Sequence, residues 1–189
     1  VIIGFTGVKQ SGKDTAASFL VDELGFERHG FADKLKEAVA NLFGISIEEV
    51  DEFKAIGVDN IAIVEVFLTQ RNRQTDWVFP WREFLQRFGT EMGRNTFGQN
   101  FWVSLLLPKD VKPVRNIVIS DVRFDNEAMR IISLGGKVFE IVRPKYEPDG
   151  HASEEPISRS FVDAQIINDG TLEEFKNKVL GAISSGDAG

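Results

Sequence analysis

Short apolar runs, separated by longer stretches of helical periodicity, set the layout of this chain. Val1, Ile2, Ile3 and Phe5 form a run of the length of a buried strand, residues 116–121 and 137–142 read the same way, and 26–31 and 164–167 predict shorter strands. Between these runs the apolar positions fall three and four apart. Ala17, Leu20, Val21 and Leu24 predict a helix over 14–24 that stops at Gly25. Leu35, Val39, Leu42 and Phe43 predict a second, capped by Asp33 and ended by Gly44. Ser46 followed by Glu49 is a capping-box signature for a helix from 47 to about 54. Pro80 opens another, in which Trp81, Phe84, Leu85, Phe88 and Met92 form a core-facing stripe, Arg82, Gln86 and Thr90 a polar face, and Gly89 and Gly93 loosen the end. Helical patterns also cover 101–107, 126–134 and 171–183, the last capped by Asp169 or Thr171. Residues 55–79 pattern poorly. Ile61, Ile63, Val66 and Leu68 suggest a strand, Trp77 and Phe79 its return, and 70–73 the tip of a hairpin that is either a flap or an edge ornament.

Strands alternating with helices predict an α/β fold with a mainly parallel, doubly wound sheet, ligands lying at the carboxyl ends of its strands. A length of 189 residues suits one such domain over 1–183, with 55–80 as a flap or insertion and 184–189 as a flexible tail. The formal net charge of −7 predicts a surface that repels nucleic acid polymers and acidic membranes, so an anionic ligand needs a local basic cleft. The absence of cysteine removes disulfides and thiolate metal sites. The N-terminal apolar run is too short and unflanked for a signal peptide, and no run reaches the roughly 18 residues of a membrane span. A cytoplasmic protein is expected, in the host cytoplasm if phage-encoded.

The chemistry concentrates in Gly7-Val8-Lys9-Gln10-Ser11-Gly12-Lys13, a G-x-x-x-x-G-K loop with a strand before it and a helix after it. Glycines let the backbone close around an oligophosphate, so that successive N–H groups and the positive end of the helix dipole point at the anion. Lys13 then reaches the phosphates, and Lys9 adds positive charge. The general pattern places Ser or Thr after the lysine as a Mg²⁺ ligand, whereas this chain has Asp14, then Thr15. Asp14 acts either through the metal or its water shell or as a helix cap, with Thr15 on a phosphate oxygen. Asp121, ending a buried strand, stands where a second metal-side carboxylate belongs, and Arg123 follows it. His29 and His151 are isolated, and no Ser-His-Asp or metal-histidine set is visible.

The loop through Asp14-Thr15, Phe31-Ala32 with Leu35-Lys36, Arg82 with Leu85-Gln86 and Gly89-Thr90, Asp121-Val122-Arg123-Phe124 with Asn126-Glu127, Val142-Arg143-Pro144, His151 with Ser153-Glu154, and Asn168-Asp169-Gly170 occur in this order. The set resembles the bacteriophage deoxynucleoside monophosphate kinases over nearly the whole chain. That resemblance implies a three-layer P-loop kinase fold and transfer of a phosphoryl group from ATP, with Mg²⁺, to a deoxynucleoside monophosphate, and it leaves room for a homodimer. It implies that Ser11, Gly12, Lys13, Asp14 and Thr15 bind ATP phosphates. Arg143 and Asn168 then serve the same nucleotide, Lys9, Lys36, Arg82 and Gln86 the acceptor, Lys13, Arg123 and Asp121 catalysis, and Asp14 and Asp121 the metal. The family's loop also ends in Gly-Lys-Asp-Thr. Two other readings stay open: a P-loop kinase for another small phosphorylated acceptor, and a nucleotide-dependent switch or assembly ATPase.

Overall fold

A computed structural model describes residues 1–56, 80–144 and 157–186. The hairpin expected within 57–79 lies outside these residues, as do His151, Ser153 and Glu154. The described residues group into two compact units, one of Val1–Phe31 with Val103–Gly189 and one of Ala32–Trp102.

The first unit carries the sheet. Strands β1 (Ile2–Thr6), β2 (Glu27–His29), β3 (Ile117–Ile119), β4 (Lys137–Val142) and β5 (Ala164–Ile167) pair in parallel in the order β2-β3-β1-β4-β5. All five residues of β1 are buried, as a central strand covered on both faces requires. Alternation along β1 sends Ile3 and Phe5 to one face, where Ala16, Ala17 and Leu20 of α1 (Lys13–Leu24) and Phe175, Val179 and Ile183 of the C-terminal helix (Leu172–Gly186) cover them. Ile2 belongs to the other face, covered by Val103 and Leu107 and by Ala128 and Ile131 of the helix Asp125–Ser133. Helix, sheet and helix make three layers. Because strand order reverses beside β1, its carboxyl end opens at the topological switch point, where α/β sheets bind ligands.

The C-terminal helix is capped by Thr171: its N–H donates to Glu174 Oε2 at 2.7 Å, and the Glu174 N–H returns to the Thr171 hydroxyl. Asp169, the other expected cap, is bonded to Lys178 at 2.5 Å instead. The helix continues through Gly186, so 184–186 are helical where a tail was expected.

The second unit is helical. Its core joins Val39 and Ala40 of α2 (Phe31–Phe43), Val50 and Phe53 of α3 (Ile47–Ile56), and Trp81, the first residue of α4 (Trp81–Arg87). Phe43, Phe53 and Phe84 surround Trp81, whose indole N–H donates to the Val50 carbonyl at 3.0 Å. The Ser46–Glu49 box forms both of its bonds. Helix α2 begins two residues before Asp33, which therefore lies in its first turn and is not its cap; Leu42 leaves the expected stripe and is exposed.

The expected stripe after Pro80 also fails at Met92, which is exposed. Beyond Arg87 the chain winds as a π-helix over Phe88–Thr96, and the wider turn delays rotation so that residue 92 drifts off the face begun by Trp81. Trp102 accounts for the distortion. Its indole N–H donates to the Gly89 carbonyl at 2.8 Å, taking an acceptor that an α-helix would pair with residue 93, and the ring lies where any Gly93 side chain would be.

Candidate active site at the phosphate loop

The chain between β1 and α1 wraps back on itself. Gly7 and Gly12 have φ values of 134° and 110°, and Gln10 lies at 62°, a region that L side chains adopt at some cost. A side chain on Gly7 would strike the Ile141 carbonyl of β4, and one on Gly12 would lie 2.7 Å from Asn168 Nδ2. The loop is thus pressed against β4 and the turn after β5. Lys13 braces it from within, its ammonium donating to the Gly7 and Val8 carbonyls at 2.7 Å each. From outside, Asn168 Nδ2 donates to the Ser11 carbonyl at 2.9 Å and Arg143 Nη1 to the Gln10 carbonyl at 3.4 Å. With these carbonyls tied outward, the cradle is left to amide N–H groups and the N-terminus of α1. The Ser11 hydroxyl is fully buried and has no hydrogen-bond partner among the described residues. With its surface fully covered, that hydroxyl meets a bound anion only after a shift of the loop.

A cleft of about 380 Å³ opens beside the loop. It brings together Gly12, Lys13, Asp14, Thr15, Arg143 and Asn168, all assigned roles from sequence, with Gln10 and Gly170, which belong to the quoted motifs, and Leu172 and Phe175, which sequence reasoning missed. Leu172 is 66% exposed at the start of its helix and Phe175 is buried one turn on, so the cleft has an apolar wall away from its cationic end. The signal that could have found them is the position of Leu172 two residues after the Asn168-Asp169-Gly170 turn.

The carboxylates do less simple things than the sequence suggests. Asp14 makes no cap on α1; its Oδ1 accepts from Arg28 Nη2 at 2.6 Å and from the Ser120 hydroxyl at 3.0 Å. Asp121 Oδ1 accepts the Phe31 N–H at 2.8 Å, which makes Asp121 the remote cap of α2 in place of Asp33. Buried Glu127 accepts the Arg123 and Phe124 N–H groups, fixing the backbone that follows Asp121, while the Arg123 side chain is exposed. Lys9 is exposed on the loop.

In the second unit, Lys36 is ion-paired with Asp51 at 2.7 Å, a link from α2 to α3, and Arg82 and Gln86 lie exposed one turn apart on α4. Among the described residues no three His, Asp or Glu gather into a metal cluster. The set fits Mg²⁺ nonetheless, since that ion is commonly held by one or two carboxylates together with substrate phosphates, and Asp14 lies beside the cradle. No helix among the described residues is long and apolar enough to cross a membrane.

A sequence profile described as deoxynucleotide monophosphate kinase matches residues 46–179. A protein of Acanthamoeba polyphaga mimivirus, described as "Putative deoxynucleotide monophosphate kinase", is 36% identical, the match covering 98% of this chain and 97% of that protein. The deoxynucleotide monophosphate kinase of Enterobacteria phage T4 is 25% identical with 94% and 96% covered, and the deoxynucleoside-5'-monophosphate kinase of Escherichia phage T5 is 22% identical with 89% of each covered.

Proposed function

The chain belongs to the deoxynucleotide monophosphate kinase family, and from that premise we propose that it moves the γ-phosphoryl group of ATP to the phosphate of a deoxynucleoside monophosphate, yielding ADP and the diphosphate. The observation that carries this reading is the braced loop, with Lys13, Thr15, Arg143 and Asn168 lining one cleft beside it. The bond from the γ-phosphorus to its bridging oxygen breaks as an acceptor phosphate oxygen bonds to that phosphorus. The acceptor is already an anion near neutral pH, so no residue need remove a proton. What remains for the protein is alignment and the neutralisation of charge that spreads during transfer.

Loop amides, Ser11, Lys13 and Thr15 hold the donor phosphates, and Arg143 and Asn168 both fix the loop and face the nucleotide. Mg²⁺, when bound, would supply further charge neutralisation, and Asp14 and Asp121 are the carboxylates that would hold it. Arg123, whose backbone is clamped by Glu127, supplies a mobile cation. For the acceptor, the residues assigned are Arg82 and Gln86, exposed one turn apart on α4, and Lys9, exposed on the phosphate loop. Lys36 is assigned to the acceptor as well, its charge already matched by Asp51.

The test is ADP release measured with ATP and Mg²⁺ against a panel of deoxy- and ribonucleoside monophosphates. Turnover with deoxynucleotide acceptors is expected, and Lys13→Ala should lower it by orders of magnitude while leaving the circular dichroism spectrum intact. ADP release that ignores every acceptor would instead favour a slow ATPase.

A further inference from the structure

We propose that Arg28 and Ser120 are positioning residues that hold and neutralise Asp14, and so allow a carboxylate to stand where the phosphate loop ordinarily carries a hydroxyl. The proposal rests on the phosphoryl-transfer reading above and adds two residues to its site. A carboxylate in the first turn of α1 brings negative charge next to an oligophosphate, and some neighbouring group must offset it.

Strand register provides that neighbour. Arg28 of β2 lies opposite Val118 of β3, and Val118 packs in the same core cluster as Ala16 and Ala17 of α1. Side chains alternate along a strand, so Arg28, Val118 and Ser120 all belong to the α1 face of the sheet. The Ser120 N–H continues the ladder to the His29 carbonyl, which fixes Ser120 at the carboxyl end of β3. Its side chain is almost entirely buried, and its hydroxyl donates to Asp14 Oδ1 at 3.0 Å. Arg28 Nη2 donates to the same oxygen at 2.6 Å.

Two donors on Oδ1 set the carboxylate's orientation, and no hydrogen bond among the described residues engages Oδ2. The hydroxyl missing after Lys13 is thus present from another strand, and the extra negative charge meets a guanidinium. The Arg28 and Asp14 side chains are 48% and 74% exposed, and so open an ion pair contributes little to fold stability. Its consequence is for what binds beside it.

The experiment is calorimetric titration of the full chain with ADP, in EDTA and again with Mg²⁺, so that one arm reads the nucleotide without metal or turnover. Arg28→Ala is expected to weaken metal-free ADP binding by about three- to tenfold without moving the melting temperature, and Arg28→Lys to recover part of the loss. In an Asp14→Asn background, where no charge needs offsetting, the same Arg28→Ala change should fall below about twofold. Ser120→Ala should raise the Mg²⁺ concentration needed for tight ADP binding. Unchanged metal-free binding in Arg28→Ala overturns the proposal. A loss just as large in the Asp14→Asn background also overturns it, because Arg28 would then be touching phosphate independently of Asp14. If Arg28→Ala does not fold, Arg28→Gln is read in its place by the same two criteria. Failure of the underlying reading looks different: Lys13→Ala would bind ADP as well as the unmodified chain, whatever Arg28 does.

Discussion

Ser11 carries opposite demands from folding and from binding. A buried hydroxyl without a partner costs about 1–3 kcal/mol, so Ser11→Ala should leave stability unchanged or raise it by about 1 kcal/mol in urea unfolding, while nucleotide affinity measured on the same sample falls. Loss of stability together with affinity would mean that the hydroxyl has a structural partner. The loop containing Ser11 is readable from sequence because phosphate binding by backbone amides compresses its requirements into consecutive residues. Arg28 and Ser120 are not readable in this way. Asp14 meets Ser120 across 106 positions, and neither local periodicity nor a motif reports such a contact. The same holds for Asp121, whose partner is the Phe31 amide 90 positions away. Sequence pattern identifies it as a strand-end carboxylate and says nothing about the helix that it caps.

Helix ends and helix irregularities set two further expectations. The Glu174 carboxylate is held below the usual range chiefly by the Thr171 N–H and then by its hydroxyl, and Asp169 is lowered chiefly by its bond to Lys178. A lowered folded pKa stabilises fully above the ordinary carboxylate range and loses that contribution as pH falls through the folded value. The urea midpoint should therefore drop in acid, and Glu174→Gln should flatten the drop; an equally steep fall in that variant would place the acid sensitivity elsewhere. At the π-helix, Gly93→Ala puts a methyl group into the Trp102 indole, and a cost of about 1–3 kcal/mol is expected, with a shift in tryptophan fluorescence. At the last helix the sequence left Asp169 and Thr171 as alternatives and the hydrogen bonds select Thr171, while the capping box at Ser46 was legible because its chemistry is local. The π-helix was not, since it depends on an indole from a later helix reaching back to Gly89, and the stripe was therefore carried one residue too far, to Met92.

At the scale of the whole molecule, β1, β3 and β4 were visible because central parallel strands are apolar on both faces, the polar edge strand β2 only through the phenylalanines around it, and the strand order depends on pairings that no single run encodes. The net charge of −7 also takes on meaning at this scale: Lys13 and Arg143 bring positive charge to the cleft of an acidic chain, and Arg28 offsets Asp14 beside them. The route of the chain matters as well. It leaves the first unit at Phe31 and returns at Val103, and both residues are buried in one cluster with Leu107 and Ile119. Residues 32–102 are thus one uninterrupted excursion with an aromatic core of their own, spliced into a sheet that is complete without them. Such a cassette can be exchanged in a chimaera with both seams anchored in the buried cluster that holds Phe31 and Val103.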